Sequence, residues 1–345
     1  MVLRRRAAGL LLVRPQGAGC LNVGIGGIAD RMRQHGAGSE LVPRHKREEI
    51  AKLASESGYV LNTTARNLRL KRTQALSVVV PLEAGQMLRD PCRFEMLGHL
   101  AEEITRRGYG MLLQKATTPI EDSLEELAGS GRSDGIVVLG QSTQHVALTK
   151  VAARYRPLVV WGAHARKQSY CTVGTENGAG ARAAVEHLLQ TGRRNIVFIG
   201  DTYVPEVRQR YEGYRDALAA APSGTAGARL LPATAQTVYE AMRVYVREEP
   251  EFDAVFAAND LSAISAVRAL NASGRAVPQD VAVVGFDDIP TAAHSNPALT
   301  TVRQDLRRGA ELLVGLLLLR LEGEETASQV LPAELIVRES SAPRR

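Results

Sequence analysis

From Ala75 onward, short apolar runs alternate with longer stretches in which apolar residues recur every three or four positions. The short runs are rich in β-branched residues: Ser77–Val80, Gly135–Leu139, Leu158–Trp161, Asn195–Ile199, Ala254–Phe256 and Val281–Phe286. A strand with one wet face would alternate, so unbroken runs predict parallel strands covered on both faces. The helical spacing falls on Phe94–Ile104, Ala181–Leu189, Arg210–Leu218, Leu261–Leu270 and Asp305–Leu321. Gly108, Gly192 and Gly274 stand where helices should stop, and the residues after Gly108 and Gly192 lead into strands. Alternation of this kind predicts an α/β fold of doubly wound parallel sheets. The 345 residues are too many for one ordinary core, so two lobes are expected. A closed eight-stranded barrel is the architectural rival.

The N-terminal part reads differently. Residues 1–40 are dense in Arg, Gly and Ala and carry no sustained period. Val42–Gly58 then reads as one helix, with Ile50, Leu53 and Ala54 on a shared face, Pro43 in the first turn and Gly58 at the stop. A polar, basic stretch from Asn62 to Thr73 forms a linker to the body. Charge follows the same division. Residues 1–72 hold 14 Lys/Arg and 5 Asp/Glu, a balance of +9, which leaves −3 for the remainder of a chain whose net charge is +6. A basic arm on a mildly acidic body suits contact with a polyanion through the arm. Aromatics at 4% disfavour a stacking platform for single strands.

Cys20, Cys92 and Cys171 are odd in number and far apart. That pattern speaks against a disulfide framework or a zinc site and suits a reducing cytoplasm. The first residues imitate a secretory signal, but the apolar run ends at Arg14 without a clear cleavage site. The richest apolar run, Leu312–Leu319, is flanked by Arg307, Arg308 and Arg320 and reads as a buried helix, so no membrane partner is expected.

At Gly58-Tyr-Val-Leu-Asn-Thr-Thr-Ala-Arg-Asn-Leu-Arg69 the chain resembles the LacI/GalR family of regulators, at the signature that closes their DNA-binding domain. The resemblance continues through Val173–Gly180, Ala184–Leu189 with Gly192–Gly200, Arg210–Tyr214, Phe256–Asp260, Pro278–Asp288, Leu299–Gln304 and Leu331–Ser340. It covers roughly residues 41–343, in order and at the family's spacing. It implies a core of the type I periplasmic-binding-protein kind whose chain crosses three times between lobes. The expected domains are 1–40, an atypical N-terminus, disordered or misread; 41–73, a remnant DNA-binding helix plus hinge; and 75–345, an effector-binding core. Its first lobe is placed at about 75–172 with 300–325, its second at about 173–299 with 326–345.

Ligands of such sheets bind beyond the carboxyl ends of the strands. Asp287, Asn259, Asp260, Gln141 and Ser142 follow predicted strands, and Arg210 begins a helix after the Asp201 loop. A carboxylate accepts from vicinal hydroxyls, Arg donates as a fixed fork, and Asn or Gln does both, which suits a polyhydroxylated ligand. The resemblance implies that Arg210, Asn259, Asp287 and Gln304 line the effector cleft. Phe94 and Trp161 are expected either to cover a sugar face or to pack in the core. Asp260 and Asp288 have a helix-capping alternative. Two segments depart from the family: Trp161-Gly-Ala-His164 lacks an Asp that many members carry, and Pro81–Pro91 is longer than usual. A carbohydrate is the default effector, with a nucleobase or amino acid as alternatives.

For DNA, the resemblance implies that Leu68 wedges into the minor groove with Ala65 and Arg66 beside it, while Arg69, Lys71 and Arg72 meet phosphates. An ordinary basic linker is the alternative. Nothing in residues 1–40 matches the family's helix-turn-helix. Shifting Val23–Ile28 by one base, with C at each third codon position, gives Ser-Ala-Ser-Ala-Ala-Ser, which resembles the turn the family needs there. The expectation is therefore a cytoplasmic, homodimeric transcriptional regulator, a repressor of carbohydrate-utilisation genes, whose partners are operator DNA and a small-molecule effector. A sugar-binding sensor or solute-binding protein without DNA reading is the alternative. An enzyme is disfavoured, since no phosphate-cradling loop, nucleophile elbow or metal-spaced His/Asp set is present. No cofactor or metal is expected.

Overall fold

The chain divides into two units, residues 1–71 and 72–345. The computed structural model describes residue 45 and residues 72–81, 90–116, 120–141, 144–164, 168–221, 223–249 and 251–342. The expectations for residues 1–40, for the Val42–Gly58 helix and for the hinge around Leu68 lie outside the described residues, with His45 and Arg72 as the described exceptions.

Two six-stranded sheets form the larger unit. The first contains β1 (Ala75–Pro81), β2 (Gly110–Ala116), β3 (Gly135–Leu139), β4 (Leu158–Trp161), β5 (Cys171–Thr175) and β11 (Gln329–Leu331) in the order β11-β5-β4-β3-β1-β2. The second contains β6 (Ile196–Ile199), β7 (Arg229–Leu231), β8 (Ala254–Ala257), β9 (Ala282–Asp287), β10 (Thr300–Gln304) and β12 (Ala333–Ile336) in the order β12-β10-β9-β8-β6-β7. All described pairings are parallel except β10 with β12. Open parallel sheets replace the barrel alternative. β3, β5, β6 and β8 are buried along their whole length, as the unbroken apolar runs require.

Helices α1 (Pro91–Arg106), α2 (Ile120–Gly129), α3 (His145–Arg154) and α8 (Leu306–Leu321) pack in the first lobe. Helices α4 (Asn177–Gln190), α5 (Pro205–Ala219), α6 (Val238–Glu248) and α7 (Asp260–Ala272) pack in the second. Local chemistry sets their ends. Asp90 caps α1 by accepting from the Cys92 N–H at 3.0 Å, with Pro91 in the first turn, and Asp305 caps α8 by accepting from Arg308 N–H at 2.9 Å. Where α4 crosses α5, a Cβ at Gly213 would overlap the Gly178 carbonyl, so the close approach of these helices needs glycine there.

The lobes exchange chain at 175–177, 304–306 and 331–333, a few residues beyond the approximate boundaries expected above. All of β5 lies in the first sheet, β10 lies in the second, and β11 returns to the first. Strand pairing overrides the sequence boundary. Thr300–Arg303 register beside Val284–Asp287 of β9, and the chain turns away only at the Asp305 cap.

Among the described residues no helix is long and apolar enough to cross a membrane.

Candidate ligand-binding cleft

The parallel strands of both sheets direct their carboxyl ends, and the helix N-termini that follow them, at one cavity of about 430 Å³. From the first lobe come Asp90, Cys92 and Met96 at the start of α1, Gly140 after β3 and Trp161 at the end of β4. From the second come Asp201 after β6, Glu206 and Arg210 on α5, Asn259 after β8, Asp287 at the end of β9 and Gln304 at the end of β10.

Arg210 is the hub. It is 6% exposed, and its Nε and Nη1 both have partners. Its Nε donates to Asn177 Oδ1 at 2.8 Å, its Nη1 donates to the Ala258 carbonyl, and the same Nη1 lies 3.5 Å from Asp287 Oδ1. Its Cζ sits 3.6 Å from the centre of the Phe286 ring, a desolvated cation–π contact. Gln304 links the lobes: its Nε2 donates to Asp287 Oδ1 at 2.7 Å, and its Oε1 accepts from the Thr175 hydroxyl at 2.8 Å. Burial pushes the Asp287 carboxyl up to about 8, with Arg210 and Gln304 pulling the other way. A group poised this way accepts a hydrogen bond when ionised and donates one when protonated.

The backbone at this corner is unusual. Asp287 and Asp288 have φ of 113° and 55°, both in the region that favours glycine. Such residues carry strain on the order of 1–3 kcal/mol and persist when their surroundings hold them. Here the hold is ionic. Asp288 Oδ1 accepts from Arg338 Nη2 at 2.7 Å and Oδ2 accepts from Arg303 Nε at 2.8 Å. Asp288 therefore braces Asp287 from behind and does not cap a helix. Asp260 does not cap either. Asn259 does, accepting from Ser262 N–H at 2.8 Å, which leaves its amide hydrogens for the cavity. Asp260 is fully buried and accepts from Thr301 and Ile289.

Of the residues expected here, Arg210, Asn259, Asp287, Gln304 and Trp161 meet at the cavity. Arg210 lies in the second turn of α5, which starts at Pro205, and not at the helix start. Trp161 lines the cavity and also packs in the core, since its ring lies so close to Gly309 that a Cβ there would come within 2.5 Å of it. Phe94 is not among the described residues that line the cavity. Cys92 and Met96, four apart, face inward, so Phe94 midway between them turns outward and is 53% exposed. Gln141 is 1% exposed, and its Nε2 donates to the Ala163 carbonyl at 2.6 Å, so it holds the β3 and β4 loops together beneath the cavity. Ser142 lies outside the described residues.

The sequence reading missed Asp90, Cys92, Met96, Asp201 and Glu206. Glu206 had a signal: it stands four residues before Arg210, hence on the same helix face. Asp90 had one too, as a capping residue before Pro91. Cys92 is buried, and burial pushes its thiol well above the ordinary value, so it acts as apolar lining.

Ala65, Arg66, Leu68, Arg69 and Lys71 lie outside the described residues, and Arg72 is exposed just ahead of β1. The chain enters the body through a clamp. Thr73 N–H and Oγ1 donate to Asp134 Oδ1 at 2.6 and 2.9 Å, and Gln74 N–H donates to Oδ2 at 2.9 Å.

Comparison with known proteins places this geometry. The family profile described as a periplasmic binding protein-like domain matches residues 185–341. The HTH-type transcriptional regulator CelR of Thermobifida fusca is 34% identical over 320 residues, covering 88% of this chain and 92% of that protein. The HTH-type transcriptional regulator AscG of Escherichia coli (strain K12) is 29% identical over 319 residues, covering 90% and 94%. Among solved structures, a transcriptional regulator CelR–cellobiose complex superposes with a TM-score of 0.68 at 31% identity, covering 91% of this chain and 95% of that one. The lac repressor dimer bound to operator and the anti-inducer ONPF shares the fold, with a TM-score of 0.76 at 21% identity over 92% and 95%.

Proposed function

The chain belongs to the LacI/GalR family of transcriptional regulators, and from that premise we propose that it is a cytoplasmic, homodimeric repressor of carbohydrate-utilisation genes whose operator affinity is set by a sugar in the cleft. The observation that carries the sugar reading is the inter-lobe cavity itself. It lies within the size range of small-molecule sites, roughly 300–1,000 Å³. Arg210, Asn259, Asp287 and Gln304 give it interleaved donors and acceptors rather than an apolar wall. Hydroxyl pairs of a sugar match that arrangement. The cellobiose complex of a similar regulator supports the same class of ligand.

The mechanism follows from where the ligand would sit. Asp287 and Gln304 hold the second lobe, Trp161 and the start of α1 the first, so a bound sugar has differential contact with open and closed arrangements. Closure changes the spacing of two paired first lobes, and so the fit of two hinges to two half-sites. In this reading Leu68 is the groove wedge, with Ala65 and Arg66 beside it, and Arg69, Lys71 and Arg72 meet phosphates. Exposed Leu112 and Leu113 on the edge strand β2, at 37% and 51%, support a pairing face in the first lobe.

A thermal-shift and gel-shift screen over sugars tests the proposal with the full chain. The expected result is one carbohydrate that raises the melting temperature and changes retardation of an operator fragment in the same concentration range. If no carbohydrate alters either stability or DNA affinity, the sugar-sensing function is refuted.

A further inference from the structure

Gln304 lines the cavity from a crossing strand. It is the last residue of β10, one place before the Asp305 cap that starts α8 in the other lobe. A glutamine amide can face two ways, and here the two ways differ at the ligand. As it stands, Nε2 carries its hydrogens towards the cavity. One goes to Asp287 Oδ1 at 2.7 Å, and the other faces Cys92 Sγ, 3.9 Å away. Sulfur is a weak acceptor, so a ligand oxygen arriving beside Cys92 takes that hydrogen. Turned over, the amide would set Oε1 against Asp287 Oδ1. That oxygen also lies 3.5 Å from Arg210 Nη1, so it is an acceptor, and a proton on this carboxyl belongs on Oδ2. Two oxygens would then oppose each other.

The group that holds the other end of the amide stands outside the cavity. Thr175, the last residue of β5, is 4% exposed and is not among the described residues that line the cavity. Its hydroxyl donates to Gln304 Oε1 at 2.8 Å. A buried hydroxyl deprived of its acceptor is costly, so the bond restrains both partners. It also ties the first crossing between lobes to the second, since the chain changes lobe just after Thr175 and again just after Gln304. The first and third crossings are tied by backbone instead, where the Glu176 N–H donates to the Leu331 carbonyl at 2.9 Å. The Thr175 carbonyl contributes as well: it accepts from Asn177 Nδ2 at 3.0 Å, and Asn177 Oδ1 accepts from Arg210 Nε. Both paths from Thr175 end at Asp287.

We propose that Thr175 is a positioning residue for ligand binding: its hydroxyl fixes the Gln304 amide with Nε2 towards Asp287 and the cavity, and makes that aim depend on how the first two crossings pack. This rests on the cleft being the sugar site and adds to it a residue that touches no ligand. A hinge movement that parts Thr175 from Gln304 frees the amide, so the state of the hinge reaches the ligand through one side-chain hydrogen bond.

Two substitutions in the full chain separate the hydroxyl from the shape. Thr175→Val keeps the branched side chain and removes the hydroxyl, whereas Thr175→Ser keeps the hydroxyl and removes the methyl. The first arm needs no ligand. NMR relaxation on protein carrying isotope-labelled glutamine reads the Gln304 side-chain amide, identified by its loss in Gln304→Leu. Wild type and Thr175→Ser should show an amide as ordered as rigid backbone, with an order parameter of ~0.85, and Thr175→Val should bring it below ~0.6. The second arm is calorimetry with cellobiose. Thr175→Val should bind about 5-fold more weakly and Thr175→Ser within about twofold of wild type. An amide as ordered in Thr175→Val as in wild type overturns the proposal. So does a mobile amide in Thr175→Ser, which would make the methyl, and hence packing, the working part. Unchanged cellobiose affinity beside a mobile amide overturns it too. Should wild type not bind cellobiose, the disaccharide form of the sugar reading fails, and the amide arm alone decides on Thr175.

Discussion

Asp260 offers a quantitative check on the physics of the second lobe. Its side chain is fully buried, and both of its partners are uncharged: the Thr301 hydroxyl at 2.5 Å and the Ile289 N–H at 2.9 Å. Burial pushes its carboxyl from the ordinary 3.8 up to about 7, against the pull of those two hydrogen bonds. The folded state therefore binds this proton more tightly than the unfolded chain does. The stability it contributes is fully present in acid and is lost as the pH rises towards 7 and beyond. Between about pH 5 and pH 7 the unfolded Asp is ionised throughout, while the folded one goes from almost fully protonated to half. Integrating the linkage over that window gives a loss of ~2 kcal/mol. The substitution Asp260→Asn keeps the shape and removes the titration. Urea unfolding of both proteins at several pH values, followed by circular dichroism with slopes checked for equality, reads the difference directly. The gap between the two should shift by ~2 kcal/mol across the window, or about 4–8 °C in melting temperature, with wild type losing ground. Any fixed cost of the amide cancels, as do the titrating groups not coupled to Asp260. Parallel stability curves would refute the neutral buried carboxyl. A shift of opposite sign would mean that the carboxylate is the native form and that hydrogen bonding outweighs burial.

Three further outcomes are expected. Arg210→Met leaves Asn177 Oδ1 and the Ala258 carbonyl without their donor and should cost ~3–5 kcal/mol in chemical unfolding while abolishing the sugar-induced thermal shift. Gly213→Ala gains helix propensity but drives a methyl into the Gly178 carbonyl, so melts should show a net loss of ~1–3 kcal/mol. Asp134→Ala releases Thr73 and Gln74 from the clamp ahead of β1, so calorimetry should find sugar affinity within about twofold of wild type while gel shifts lose the response of operator binding to sugar.

The alternation of apolar runs with helical periods predicted buried parallel strands, because burial on both faces leaves an unbroken hydrophobic signature in β3, β5, β6 and β8, and only the strand pairing chose two open sheets over a closed barrel. Family motifs pointed to Asn259, Asp287 and Gln304 at strand ends and to Arg210 on the helix after β6, and all four line the cavity, since polar residues just past a buried strand have few other places to go. What the sequence could not decide is what depends on pairing between distant segments. β10 joins the second sheet and β11 the first although only a helix separates them, because register against β9 and β5 is a tertiary choice. Phe94 looked like ligand cover and faces outward, since the phase of α1 is fixed by Cys92 and Met96 packing inward. Gln141 looked like a ligand donor and spends its amide on Ala163, a partner 22 residues away. Asp288 looked like a cap and is a brace, because Arg303 and Arg338 arrive from strands and turns that the chain reaches later. Local spacing thus determined the elements and the class of chemistry. Which polar group is free to meet a ligand, and which is already satisfied by the protein, was decided only when the two lobes closed around them.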